Sequence, residues 1–216
     1  QLDSASHRAW HAWGLMNYRI RQFNKDRLTA EENNAFAERA QQGFFAAISN
    51  SPSTAEALQD ILRLIHLWGG CLPLLERTAH RQHVADGLRR VPVSSWAAVV
   101  PQLVGHLYSA VVPFRQLIEQ ILSRIAHVMP QCVVFPLHRM VLKDSIDETE
   151  GIRVIAESES VANYLISLCE PKIASDARAL AKTLAASAVF PLECVAMVLG
   201  RLTSTVSQAM KLQARG

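Results

Sequence analysis

The sequence predicts an all-α protein, an α-solenoid of antiparallel helical pairs, and three observations carry that expectation. Apolar residues recur at intervals of three and four along most of the chain, the spacing of one face of a 3.6-residue helix. Capping residues, prolines and glycines fall between the apolar runs, where helices start and stop. Strand signals are almost absent: Val111–Val112 and Val133–Val134 sit inside helix-period patterns rather than alternating ones.

Taken in order, residues 4–25 carry Trp10, Trp13, Leu15, Met16, Ile20 and Phe23 among Arg and His, a helix with a broad apolar side. Thr29 and Glu32 have capping-box spacing, in which the hydroxyl accepts from the first turn while the carboxylate reaches back to the cap N–H. The helix they open reaches Ile48, and Asn50, Ser51 and Pro52 form the next loop. Ser53 and Glu56 repeat the capping-box spacing before Leu58, Ile61, Leu62, Ile65 and Trp68, and Gly69 and Gly70 stop that helix. A more polar helix spans 73–90 and ends near Pro92.

The segment 94–137 is the centre of the design. Trp96, Val99, Val100, Leu103 and Leu107 stripe one helix, and Ile118, Ile121, Leu122, Ile125 and Met129 stripe the next. Pro113 suits the first turn of that second helix, where its missing N–H has no partner to lose. A short apolar helix over 130–142, interrupted at Pro136, starts another pair. Two antiparallel helices with a short link form the unit from which solenoids stack, and without a visible strict period the pairs are HEAT- or TPR-like. We therefore expect a helical-repeat segment over 1–142, a solvent-exposed acidic loop over 143–152 (KDSIDETEG and its neighbour), and further helical hairpins over 153–216, at roughly 153–169, 172–189 and 191–213.

Half of the 216 residues are apolar and only 19% are charged, so some apolar surface is expected to be covered by something outside this sequence. A net charge of +3 is too small and unfocused to predict nucleic-acid binding. No secretory leader opens the sequence, and both ends read as cut from something longer. The run 96–114 is broken by Pro101, Gln102, His106 and Pro113, short of the uninterrupted stretch of about 18 residues that a membrane span needs. Cys71, Cys132, Cys169 and Cys194 are far apart among apolar neighbours, with no CxxC pair, and are expected to be buried free thiols.

A reaction centre is not legible. His7 and His11, like His80 and His83, could share a helix face, but no sequence-adjacent Cys or carboxylate completes a metal site, so surface or capping roles are expected. There is no GxSxG, no phosphate-binding glycine loop and no kinase signature. Asp144, Asp147, Glu148 and Glu150 lack the ligand spacing of a calcium loop. The main basic surface is Arg77, His80, Arg81, His83, Arg89 and Arg90. It reads either as the polar face of an exposed helix or as a dock for an anionic ligand or an acidic helix.

Several blocks together resemble a known family. Arg8–Tyr18 (RAWHAWGLMNY) and Gln42–Ser49 (QGFFAAIS) resemble the C-terminal half of the FAT domain of target-of-rapamycin kinases. Leu58–Leu64 (LQDILRL), Ser95–Leu103 (SWAAVVPQL) and Phe135–Leu137 (FPL) follow in the family's order, the last two being shared more widely among phosphatidylinositol-kinase-related protein kinases. The resemblance covers about residues 8–142 and implies HEAT-like pairs that wrap the kinase domain of a large Ser/Thr protein kinase controlling growth or stress responses. It implies partners in the same polypeptide and in a kinase complex, and a cytoplasmic protein, peripheral on endomembranes. The family's nucleotide- and metal-binding residues lie downstream, so no cofactor is expected in this chain beyond an inositol polyphosphate. By resemblance Arg8, beside the Trp-His-Ala-Trp block, is the residue that would contact it. Where the family enters its rapamycin-binding bundle with two tryptophans, residues 191–213 carry none. A stand-alone helical-repeat adaptor is the alternative reading.

Overall fold

A computed structural model describes residues 6–71, 73–76, 78–141 and 152–184, the side chains of 78–80 and 152–156 excepted. The elements are α1 (His7–Phe23), α2 (Ala30–Ser49), α3 (Thr54–Gly69), α4 (Pro73–Glu76), α5 (Thr78–Arg90), α6 (Val93–Ala97), α7 (Val100–His106), α8 (Val112–Val128), α9 (Pro130–Val141) and α10 (Ile152–Ser167). Residues 171–184 form a further helical run, and no strand occurs among the described residues. The acidic segment 143–151 and the helix expected over 191–213 lie outside the described residues.

Both predicted N-terminal caps form, but differently. Thr29 Oγ1 accepts from the Glu32 N–H at 3.2 Å, and the Thr29 N–H donates to Glu32 Oε2 at 2.9 Å, a complete capping box. Those hydrogen bonds to the carboxylate hold the Glu32 carboxyl below its ordinary range. Ser53 Oγ accepts from the Glu56 N–H at 3.3 Å, whereas the Glu56 side chain turns to His7 on another helix, so the box is only half made. Gly70 ends α3 with a φ of −103°, so its role there does not depend on the left-handed conformation open to glycine.

The pairing is antiparallel and close. α1 and α2 touch backbone to backbone, since a Cβ on Gly43 would lie 2.5 Å from Gly14 Cα. Along α2, Gln41 meets Trp68 and Asn34 meets Cys71, so α2 and α3 also run in opposite directions. Two layers result, with α1, α3, α6–α7 and α9 in one and α2, α5, α8 and α10 in the other. Between them runs a continuous core that includes Phe44, Ile61, Leu64, Leu103, Ile118, Ile121 and Leu137. The Trp68 and Trp96 rings stack at 6.1 Å and Phe45 packs on Trp68, joining the first pairs to the central segment.

Three predicted helices differ in detail. The stripe from Trp96 to Leu107 is not one helix: α6 stops at Ala97 and α7 restarts at Val100 with Pro101 in its first turn, because proline cannot donate back into α6. Residues 73–90 likewise divide into α4 and α5. Conversely, Pro136 does not break α9; Val133 and Val134 before it and Leu137 and Met140 after it are all buried, and this packing holds both halves in line.

Candidate interaction surface

Side chains of α1 reach α3 at a nearly constant offset. His7 Nδ1 lies 3.5 Å from Glu56, and His11 Nδ1 lies 2.8 Å from Asp60. The Tyr18 and His66 rings meet edge to face at 6.3 Å, and Arg21 donates to the Gly70 carbonyl at 2.8 Å. The separation is 49 residues at His11–Asp60 and at Arg21–Gly70, so α1 and α3 run parallel, one repeat apart. Arg21 also covers an α3 carbonyl that the helix end leaves without an intrahelical donor.

Asp60 anchors this ladder. It is 0% exposed and receives both His11 and Arg63, the latter at 3.0 Å. A carboxylate so placed needs such donors to offset its lost hydration. The histidine pair of α1 therefore pairs with carboxylates 49 residues on, a contact that sequence spacing alone does not reveal. No group of three or more His, Cys, Asp or Glu able to hold a metal occurs among the described residues.

The stack continues through similar polar reaches. Arg115 pairs with Glu157 at 2.6 Å, Ser158 donates to the Leu107 carbonyl at 2.7 Å, and Arg124 donates to the Leu88 carbonyl in the last turn of α5. His138 Nε2 donates to the Ala174 carbonyl at 2.9 Å. Burial lowers the His138 pKa, and nearby Arg178 adds to that effect while the hydrogen bond opposes it. Cys71 and Cys169 are buried and Cys132 half-buried, all as free thiols; Cys194 lies outside the described residues. Burial pushes the Cys71 and Cys169 thiols up.

The basic residues singled out in the sequence are dispersed. Arg8 is exposed on the first turn of α1. Arg77 lies outside the described residues, as does the side chain of His80. Arg81 lines a cleft of about 640 Å³ between α5 and α8, with Glu76, Gln116 and Gln120. Arg89 borders an adjoining cleft of about 720 Å³ with Arg124 and Tyr164, and forms a 2.8 Å ion pair with Asp86. Arg90 faces away from both, into a cleft of about 450 Å³ that includes Trp10, Trp13, Gln41, Phe45 and His83. Helix α5 thus shows basic side chains to both flanks of its layer rather than a single patch.

Paired helices stacked in two layers, joined by core aromatics and a register of side-chain bridges, define a helical-repeat segment. Residues 1–66 match the family model of the FAT domain. Over 139 residues the chain is 30% identical to the serine/threonine-protein kinase tor1 of Schizosaccharomyces pombe, a match covering 63% of this chain and 6% of that protein. It is also 30% identical over 136 residues to the serine/threonine-protein kinase TOR of Arabidopsis thaliana, covering 60% of this chain and 5% of that protein. With the serine/threonine-protein kinase TOR2 of Saccharomyces cerevisiae the identity is 24% over 193 residues, covering 72% of this chain and 8% of that protein. The chain is thus similar to the FAT domain over residues 1–66 and to target-of-rapamycin kinases over a longer stretch. It spans between 5% and 8% of the length of these relatives. No described helix is long and apolar enough to cross a membrane.

Proposed function

We propose that the chain is a non-catalytic helical scaffold segment of a target-of-rapamycin-like Ser/Thr protein kinase, packing against and supporting the kinase domain and complex partners in growth or stress signalling. The observation that carries this reading is the FAT match over residues 1–66, a stretch that includes most of the α1–α3 ladder that sets the stacking register. Stacked repeats of this kind transmit position through nearest-neighbour interfaces, so a rigid register is what a supporting element requires. Exposed apolar side chains such as Phe23, Val128 and Leu180 supply surface for such packing. The reading includes a cytoplasmic location, peripheral on endomembranes, and an inositol polyphosphate held in part by exposed Arg8, whose guanidinium can grip phosphate in a fork.

The test mixes the chain with the separately purified kinase domain of its parent polypeptide. Support is co-elution of the two on gel filtration, with ATP turnover confined to the kinase domain. Failure to associate, or turnover by the chain alone at constant specific activity through purification, overturns the reading.

A further inference from the structure

We propose that the cleft between α1, α2 and α5 is a binding site for an aryl carboxylate, a ligand that carries an aromatic ring and an acid group a few bonds apart. Its floor holds a directed donor. Gln41 is 2% exposed yet lines the cleft, and its Oε1 accepts from the Trp68 indole N–H at 2.8 Å. Because the indole nitrogen can only donate, this bond fixes which way the carboxamide points. The Nε2 amide hydrogens of this cleft-lining side chain are then the ones turned away from the indole. A donor that opens onto a cleft can be met by an acceptor bound there, and a carboxylate is the strongest neutral-pH acceptor available.

The rest of the lining agrees in chemistry. Arg90 is exposed at the same cleft and makes no ion pair among the described residues, which places a positive charge there as well. The carboxylate in the lining, Asp86, is already engaged by Arg89 at 2.8 Å. Trp10 and Trp13 meet edge to face at 5.7 Å, and with Phe45 they give aromatic walls suited to a ring. Gly87 keeps one side narrow: a Cβ there would lie 2.4 Å from the Phe45 ring. A volume of about 450 Å³ admits a ligand of one or two residues' size. The inference rests on this cleft alone and does not depend on the scaffold reading.

The test uses saturation-transfer NMR on the 216-residue chain with four probes: 3-phenylpropionate, its amide, and N-acetyl-Gly-Gly-Phe as free acid and as amide. At least one free acid should bind, with its amide weaker by about tenfold, as loss of one charge-assisted hydrogen bond implies. Arg90→Ala should weaken that acid about as much, whereas Arg81→Ala, in the cleft between α5 and α8, should leave it unchanged. Binding of the propionate alone points to a small metabolite, and binding of the peptide acid alone to a chain terminus. Acid and amide binding equally, insensitivity to Arg90→Ala with the melting temperature preserved, or no binding by either acid overturns the proposal.

Discussion

Gly43 and Gly14 face each other so closely that a Cβ on the first would stand 2.5 Å from the Cα of the second. The obstacle is backbone, which cannot swing aside as a side chain can. Gly43→Ala should therefore push α1 off α2 and cost about 1–3 kcal/mol, the usual range for overpacking. Urea unfolding monitored by circular dichroism checks this. An unchanged midpoint would show that the two helices sit farther apart than described.

Asp60 gives a second prediction. Removing the buried carboxylate takes the partner from His11 and leaves Arg63 only Gln59, so Asp60→Ala should destabilise the chain by about 1–3 kcal/mol. His11→Ala, which leaves Arg63 on Asp60, should cost clearly less. The same unfolding assay compares the two, and equal costs would contradict a shared anchor.

The third prediction concerns pH. Burial lowers the pKa of His138, reinforced by Arg178, and burial also lowers that of His106, reinforced by His66. The unfolded chain therefore binds a proton before the folded chain does. Stability should be full above about pH 6.5 and should fall as the pH drops below it. Carboxylates held low, such as Glu32, add a loss at more acidic pH, within the carboxylate range. His138→Gln keeps a donor for the Ala174 carbonyl while removing the titration. Thermal melts between pH 5 and 7.5 should show a flatter slope for this variant, and an unaltered slope would place the pH response elsewhere.

Self-association is the fourth. Phe23 is 79% exposed and Met16 51% exposed, on one side of α1. The chain by itself should associate in a concentration-dependent way, visible by light scattering and by binding of an apolar dye. Met16→Ser with Phe23→Ser should lower both signals. A monodisperse monomer with no dye response would contradict this.

What the sequence shows and what it hides divide along the range of the interactions. The helices, the Thr29–Glu32 box and the buried stripe of Ile118, Ile121, Leu122 and Ile125 rest on neighbours three or four apart, so they were legible. The break between Ala97 and Val100 was less so, because the apolar stripe continues through it while only the backbone changes. Pro136 misled in the other direction, since tertiary packing on both sides outweighs one missing hydrogen bond. The His11–Asp60 contact, the half-made cap at Ser53 and the placement of Arg89 and Arg90 in separate clefts are set by the distance and rotation between helices. No local pattern encodes those quantities. The apolar stripes with their short links and the FAT-like blocks pointed to stacked pairs, but they carried no information on which side chains bridge the stack.

The parallel register of α1 and α3 is the claim on which the stack depends, and paired spin labels test it directly. Labels at positions 8 and 59 and, in a second sample, at 19 and 66 use exposed sites on the two helices. The 49-residue register predicts similar, short distances for both pairs. An antiparallel arrangement with matched helix ends would instead displace both pairs by about nine residues, roughly 13 Å along the axis at about 1.5 Å per residue, and long distances in both samples would contradict the account.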